Sequence, residues 1–316
     1  MSHQTPLRLP LLTLSNDQYL KPNTSNWFSA CDEVRRALEE YGCFLAVYDS
    51  VSPELNSDIF HALEELFDLP TETKLCNTSE KPFYGYYGKI PDFPLQESLG
   101  INIGDAITTE GVQNFTNLMW PSGNDHFSEI IHDYANIVAG LEKMVKKMVL
   151  ESYGVEKCYD SLDASTTYLL RLIKYRTPKL DESNVGSQVH TDKTFLSILH
   201  QNQVNGLEIK TKDGEWMAVD MTPANSFLIM VGEAFSAWSN NRLHCPVHRV
   251  IVKENKPRYT LAHFSYINGM IQTPEELVDE KHPIKFQPFH NFELLDFFAK
   301  HVNDQMEYTV RAFCGV

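Results

Sequence analysis

His190, Asp192 and His248 constrain this chain more than any other feature. Residues i and i+2 of a β-strand point to the same face, so His190 and Asp192 are placed to act together on one side of a strand. The third residue stands 56 positions further on, from 192 to 248, far enough for a partner strand to deliver it across a barrel. Two imidazoles and one carboxylate, with coordination positions left open, form the donor set of oxygen-activating non-haem Fe(II). The same donors suit a catalytic Zn2+. Taken alone, His-x-Asp is a common accident; the downstream histidine in a strand-rich half gives it weight.

The half of the chain that carries these residues has the texture of short strands and turns. The stretches 165–175, 187–199, 206–210, 215–219, 225–231, 247–252 and 258–267 read as strands. Asp213–Gly214, between Leu207–Thr211 and Trp216–Val219, marks a hairpin, and Glu254–Asn255–Lys256–Pro257 another turn. So many short strands in succession predict a closed jelly roll.

The first half reads differently. Leu9–Leu14 is a short strand. Thr24 or Ser25 caps a helix to about Tyr41, ended by Gly42, and Cys43–Tyr48 is a strand. Ser52–Pro53 opens a helix with Leu55, Ile59, Leu63, Leu66 and Phe67 at helical spacing, stopped near Pro70. Residues 77–123, richer in Gly, Pro and aromatics, read as irregular. Asn124 begins the clearest helix, with an apolar stripe from Phe127 to Val149, Lys143, Lys146 and Lys147 on a solvated face, and an end near Gly154. A last helix starts at Asn291, with Leu294, Leu295, Phe297, Phe298 and Val302 apolar. The expected fold is a mainly β core with flanking helices: a double-stranded β-helix (jelly roll) with an N-terminal helical region over 1–160, and the jelly-roll domain with its C-terminal helix over 161–316.

Composition narrows the class of function. Among 316 residues, 42% are hydrophobic and 22% charged, ordinary for a globular protein with a large core. A net charge of −15 argues against nucleic acid or an anionic membrane as partner, but not against a local basic pocket. Cys31, Cys43, Cys76, Cys158, Cys245 and Cys314 are scattered, with no Cys-x-x-Cys pair, and read as reduced and mostly buried thiols. Leu9–Leu14 is too short for a signal peptide and contains Pro10, and no apolar run approaches the roughly 18 residues of a membrane span. A cytoplasmic monomer acting on a small molecule is the expectation.

Ten residues after His248 stands Arg258, followed by Thr260. Arg258, Thr260, Ala262 and Phe264 share one face of their strand. An arginine fork matches a carboxylate, and a hydroxyl adds a hydrogen bond, so a diacid held there by one end can place its other end on the metal. This anchor favours iron over zinc. Arg249, directly after the ligand, points to the opposite face and reads as structural.

With these residues in view, the chain resembles the plant Fe(II)- and 2-oxoglutarate-dependent dioxygenases. The family pattern is His-x-Asp, a distal His followed by Arg-Val, and Arg-x-Ser; here these are His190/Asp192, His248–Arg249–Val250 and Arg258/Thr260, with Ser239–Asn240–Asn241–Arg242 leading to the distal His. Lys81–Pro82–Phe83–Tyr84–Gly85–Tyr86, Glu97–Ser98–Leu99–Gly100 and Met119–Trp120–Pro121 resemble a narrower subgroup, which includes glucosinolate side-chain oxygenases and steroidal-alkaloid hydroxylases. The resemblance runs from Leu9 over nearly the whole chain. It departs at Thr260, where the family has Ser, and at Ile173–Lys174–Tyr175–Arg176, which falls on the family's Asn-Tyr-Tyr-Pro stretch and keeps only its second Tyr, Tyr175.

The resemblance implies Fe(II) held by His190, Asp192 and His248, 2-oxoglutarate held by Arg258, Thr260 and Tyr175, dioxygen as oxidant, and ascorbate supporting activity. It implies oxidative decarboxylation of 2-oxoglutarate coupled to hydroxylation, or a related oxidation, of a small plant metabolite; the aromatic and aliphatic candidates around the pocket favour a largely apolar one of steroid, terpenoid or alkaloid type. Auxin- and glucosinolate-type substrates stay open. So do a same-fold oxidase that does not consume 2-oxoglutarate, as in the ethylene-forming oxidases, and a non-catalytic metal-binding protein. Phe83 and Tyr84, in the aromatic turn 83–88, serve either as a lid over substrate or as core packing. Phe195 and Phe264 line the pocket or fill the core, and Arg171 meets a polar substrate group or pairs with an acid. His61, His126, His132, His200, His244 and His263 read as spectators.

Overall fold

The computed structural model describes residues 8–15, 20–90, 93–104, 107–301 and 309–316. Its strands are β1 (Leu11–Thr13), β2 (Cys43–Val47), β3 (Tyr87–Ile90), β4 (Phe93–Gly104), β5 (Thr166–Tyr175), β6 (Val185–His190), β7 (Leu196–Gln201), β8 (Leu207–Lys210), β9 (Trp216–Ala218), β10 (Ser226–Val231), β11 (His248–Ile251), β12 (Arg258–Ile267), β13 (Met270–Ile271) and β14 (Phe289–His290). Its helices are α1 (Ser25–Glu40), α2 (Pro53–Asp68), α3 (Thr71–Lys74), α4 (Thr109–Met119), α5 (Asp125–Ser152), α6 (Tyr159–Ala164), α7 (Glu233–Trp238), α8 (Asn291–His301) and α9 (Val310–Cys314).

The three long N-terminal helices begin at side-chain caps. Thr24 accepts from the Trp27 amide at 3.2 Å, Ser52 from Leu55 at 3.1 Å and Asn124 from Phe127 at 3.0 Å, each satisfying an amide that the helix itself cannot. Gly42 ends the first segment at φ +74°, and a Cβ there would lie 2.3 Å from the His244 carbonyl oxygen.

Eight strands form one sheet in the order β1-β2-β10-β7-β12-β5-β4-β3, and four form a second, β6-β11-β8-β9. Apart from the parallel pair β1/β2, the ladders are antiparallel. Strands from the first 104 residues thus share a sheet with β5, β7, β10 and β12. Alternation divides the large sheet into two faces. Leu170, Leu172, Ile198, Phe227, Ile229 and Leu261 join a core with Ile131, Tyr134, Val138, Leu141 and Val145 of α5. Ile173, Tyr175, Leu199, Leu228, Met230 and Ala262 face Leu207, Ile209 and Val250 of the small sheet. Each fully buried Leu, Ile or Val contributes roughly 1.5–3 kcal/mol, so both faces are strongly held. The jelly-roll expectation is met, and the space between the sheets is its interior.

Three local expectations are corrected. Residues 77–123 are not irregular: they contain β3, β4 and α4. Glycine misled there, because Gly100 sits mid-strand where the backbone of Tyr84 crosses it; a Cβ would lie 2.1 Å from the Tyr84 carbonyl oxygen. The stretch 187–199 is not one strand but β6 and β7, in different sheets. Lys146 is not on a solvated face. It is fully buried and bonds Glu142 at 3.3 Å, Asp163 at 3.2 Å and Thr166 at 3.0 Å, satisfying its ammonium inside the protein. All six cysteines are free, but only Cys31 and Cys43 are buried. The helix expected from Asn291 is α8, with Leu294 and Leu295 buried, and a shorter helix, α9, follows it; Val302 lies outside the described residues.

Candidate active site

His190 and His248 stand directly opposite each other, the last residue of β6 against the first of β11. The third ligand therefore comes from the adjacent strand of the small sheet. Their rings lie 4.1 Å apart between centroids. His190 Nδ1 is 2.8 Å from the Gln188 carbonyl oxygen, and His248 Nδ1 is 3.2 Å from that of Pro246. A carbonyl can only accept, so each Nδ1 carries the proton and each Nε2 presents its lone pair. Asp192 Oδ1 lies 3.7 Å from both Nε2 atoms. Its other oxygen, Oδ2, accepts from Ser197 Oγ at 2.6 Å, which fixes the carboxylate's orientation. Burial, followed by repulsion from the second imidazole, holds the His190 ring below the ordinary histidine range and favours the neutral, ligating form.

Asp192 is not on the strand that carries His190; it lies in the crossover between the two sheets. The start of α7 locks that crossover. The Glu233 amide donates to Asp192 O at 2.8 Å, and the Gly232 amide to Phe195 O at 3.0 Å. The Glu233 carboxylate accepts from Thr191 Oγ1, from Lys193 Nζ at 2.8 Å and from the Val310 amide. The side chains of Lys193 and Glu233 are each 4% exposed, so this is an ion pair sealed directly beneath a metal ligand. The His190 side chain is 32% exposed against 5% for His248 and 11% for Asp192, so the open side of the site lies towards His190.

Arg258 opens β12 opposite Tyr175, and Thr260 lies opposite Ile173 on β5 and Gln201 on β7. Arg258 donates Nε–H and Nη2–H to Gln201 Oε1 at 3.1 and 2.8 Å, and its guanidinium carbon stands 5.2 Å from the centre of the Tyr175 ring. It is 2% exposed yet has no carboxylate partner among the described residues. Burial lowers the Arg258 pKa, and the same burial raises that of Tyr175 against the pull of the arginine. Thr260 Oγ1 is buried without a hydrogen-bond partner. An unpaired cation beside an unsatisfied hydroxyl costs free energy unless an anion completes both. The carboxylate of a diacid does so.

The donor set fits a ferrous ion: two neutral imidazoles and one carboxylate oxygen, with ligand atoms within 4.8 Å of one another. Fe(II) and 2-oxoglutarate, when bound, supply the activation of dioxygen and the oxidative decarboxylation. His190, Asp192 and His248 would hold the metal, with Asp192 fixed through Ser197 and Glu233, and Arg258 is placed to receive the co-substrate's far carboxylate.

The remaining candidates divide. Phe264 and Arg171 lie on the interior face, opposite Ser197 and Ala262 respectively. Phe83 stacks on Tyr87 at 5.8 Å and meets Phe298 of α8 at 5.5 Å, while Tyr84 is buried against Tyr266 at 6.0 Å. The aromatic turn is thus part rim, part core. Phe195 is not at the pocket; it packs on Phe235 at 4.0 Å and on Trp238 at 6.2 Å, in the core shared with the helices. His200 and His263 are buried, and with His244, whose amide donates to Leu38 O at 3.0 Å, they stand outside the cluster of His190, Asp192 and His248. Sequence reasoning missed Ser197, Gln201, Ser98, Lys193 and Glu233. Strand register reveals Ser98, Ser197 and Gln201, the last two in step on β7, whereas the contact of α7 with the crossover reveals Lys193 and Glu233.

Comparison with known proteins gives the same answer. Residues 166–266 match the 2OG-Fe(II) oxygenase superfamily, and residues 9–98 match the N-terminal region named for the non-haem dioxygenase in morphine synthesis. The chain is 44% identical over 317 residues to the probable 2-oxoglutarate-dependent dioxygenase AOP1 of Arabidopsis thaliana, covering 98% of this chain and 96% of that protein. Among solved structures, the rice dioxygenase for auxin oxidation superposes with a TM-score of 0.80 at 28% identity, covering 93% of this chain and 96% of that one. The Arabidopsis thaliana dioxygenase for auxin oxidation 1, in its binary complex with 2-oxoglutarate, gives 0.77 at 29%, covering 87% and 99%. With the triad, the diacid anchor and the jelly roll all in place, the chain belongs to the 2OG-Fe(II) oxygenase superfamily and is a 2-oxoglutarate-dependent dioxygenase.

Proposed function

We propose that the enzyme hydroxylates, or otherwise oxidises, an unactivated carbon of a small plant specialised metabolite with a largely apolar body, of steroid, terpenoid or alkaloid type. His190, Asp192 and His248 hold the iron; Arg258, Thr260 and Tyr175 hold 2-oxoglutarate. The observation that carries this is the buried, unpartnered Thr260 Oγ1 beside an Arg258 that meets no acid among the described residues, on the same strand face as Phe264. Support for an apolar substrate body comes from Leu169, Leu199, Ala262 and Phe264 on that face. A second reading, an auxin-type indole acid, is favoured by the similarity to the rice dioxygenase for auxin oxidation. Among the described residues no helix is long and apolar enough to cross a membrane.

The test is a screen for succinate release against a plant metabolite extract, with mass spectrometry to find the compound consumed and its gain of oxygen or loss of hydrogen. Stoichiometric succinate with an apolar-bodied product supports the proposal. Oxidation without succinate would transfer the enzyme to the oxidases that do not consume 2-oxoglutarate.

A further inference from the structure

Arg171 is the one other arginine on the interior face of β5 and β12, and no acid among the described residues pairs with it. It lies mid-strand on β5, between Gly100 of β4 and Ala262 of β12. It is 7% exposed. Among the described residues its hydrogen bonds go to neutral oxygens only: Nη1–H to the Phe83 carbonyl and Nη2–H to Ser98 Oγ at 2.6 Å. The Tyr87 ring covers its guanidinium carbon at 5.1 Å. Two bonds use two of five N–H groups. A desolvated cation without an acid is costly, and burial accordingly lowers its pKa to about 10. Among the described residues no acid meets it.

Charge balance sharpens this. A ferrous ion with Asp192 leaves one positive charge, Arg258 adds a second, and doubly charged 2-oxoglutarate cancels both. Arg171 then stays as one uncompensated positive charge in the same interior. Its place suits substrate rather than co-substrate. Ala262, its partner across the ladder, is four residues from Arg258, about 13 Å along the strand. β7, whose Ser197 holds Asp192, is two strands away, about 10 Å across the sheet. Between them the face is apolar, with Leu199, Ala262 and Phe264.

We propose that Arg171 is the recognition residue for a singly charged oxyanion, a carboxylate or a sulfate, borne by the substrate at the end of its apolar body, with Tyr87 and the Phe83 carbonyl fixing the guanidinium from above. This rests on the proposed function and narrows it, since a cationic alkaloid is excluded. The anion accepts the free N–H groups of Arg171, and the substrate body runs back over Ala262 and Leu199 towards the metal.

The direct test uses binding without turnover. Wild type, Arg171→Met and Arg171→Lys are loaded with Mn(II) and 2-oxoglutarate under anaerobic conditions. They are titrated calorimetrically with indole-3-acetate and 3-phenylpropanoate against their uncharged amides, and with phenethyl sulfate against phenethyl alcohol. In wild type at least one acid should bind tenfold or more tightly than its neutral partner, and the pair that does so tells carboxylate from sulfate. That ratio should fall towards one in Arg171→Met and stay well above one in Arg171→Lys, which also guards against a Met variant that fails to fold. A ratio near one across the panel in wild type overturns the proposal. So does an Arg171→Met variant that weakens acid and neutral ligand equally, because Arg171 then merely braces the Phe83 turn. A second arm fractionates the plant extract on an anion exchanger: succinate release should follow the retained fraction. Release from the neutral or cationic fraction overturns the role of Arg171 and leaves the oxygenase reading standing. Release from none counts against that reading, and the calorimetric ratios still decide on Arg171.

Discussion

Replacing Arg258 by Met should separate co-substrate binding from metal binding. The guanidinium is already stripped of water and held by Gln201 Oε1 at 2.8 and 3.1 Å, so it meets an incoming carboxylate with little reorganisation. Hydrogen bonds to charged groups contribute about 1.5–3 kcal/mol each. A bidentate pair is therefore worth about 3–6 kcal/mol, and at about 1.4 kcal/mol per tenfold the variant should bind 2-oxoglutarate about 10^2- to 10^4-fold more weakly. Stability should change little. Loss of an unpaired buried cation is favourable, whereas leaving Gln201 Oε1 without donors costs about 1–3 kcal/mol. The assay is calorimetric titration of 2-oxoglutarate into Mn(II)-loaded protein, with Fe(II) affinity measured separately in its absence. A 2-oxoglutarate affinity within threefold of wild type, in a folded variant, refutes the anchor. An equal loss of Fe(II) affinity refutes the division of labour between Arg258 and the triad.

Other outcomes follow from neighbouring geometry. His190→Ala should abolish turnover and tight Fe(II) binding, whereas His244→Ala should leave substantial iron bound; equal loss in both, read by metal analysis, means the wrong histidines were chosen. Gly232→Ala would put a Cβ 2.0 Å from the Thr194 carbonyl oxygen, in the crossover that carries Asp192, and should cost tenfold or more in metal affinity even where the fold survives; unchanged affinity contradicts the locking of that crossover by α7. His200 is fully buried, with burial pushing it down to about 4 despite its bond to the Ala224 carbonyl. The folded state therefore refuses a proton that the unfolded chain accepts, and stability is lost as pH falls from about 6.5 to about 4, by about 3 kcal/mol. Urea unfolding between pH 7 and pH 4.5 should show this loss reduced in His200→Leu, and an unchanged pH slope refutes the assignment.

What was legible in the sequence was whatever local chemistry sets. Caps at Thr24, Ser52 and Asn124 declare themselves because Ser, Thr and Asn satisfy free amides at helix starts. The alternation from Arg258 to Phe264 survives unbroken in β12. What failed depended on distant contacts. His190 and Asp192 look like one strand face, yet the chain changes sheets at Thr191, because Glu233, 40 to 42 residues on, captures Thr191, Asp192 and Lys193 together. β4 was hidden because Gly100 signals a loop locally and a close crossing by Tyr84 globally. Lys146 looked solvated because its partner Asp163 lies beyond the end of its own helix. That Arg171 meets no acid among the described residues was open in the sequence, since no local pattern says which acid, if any, a buried arginine meets.

His190, Asp192 and His248 are expected to bind one ferrous ion beside an Arg258 that orients 2-oxoglutarate onto it. The most direct measurement is the visible spectrum of the purified protein with Fe(II) and 2-oxoglutarate added in the absence of oxygen. A charge-transfer band that needs both additions, and is missing in His190→Ala and in Arg258→Met, is the predicted result. A colourless mixture from folded wild-type protein, or a band that survives His190→Ala, would contradict it.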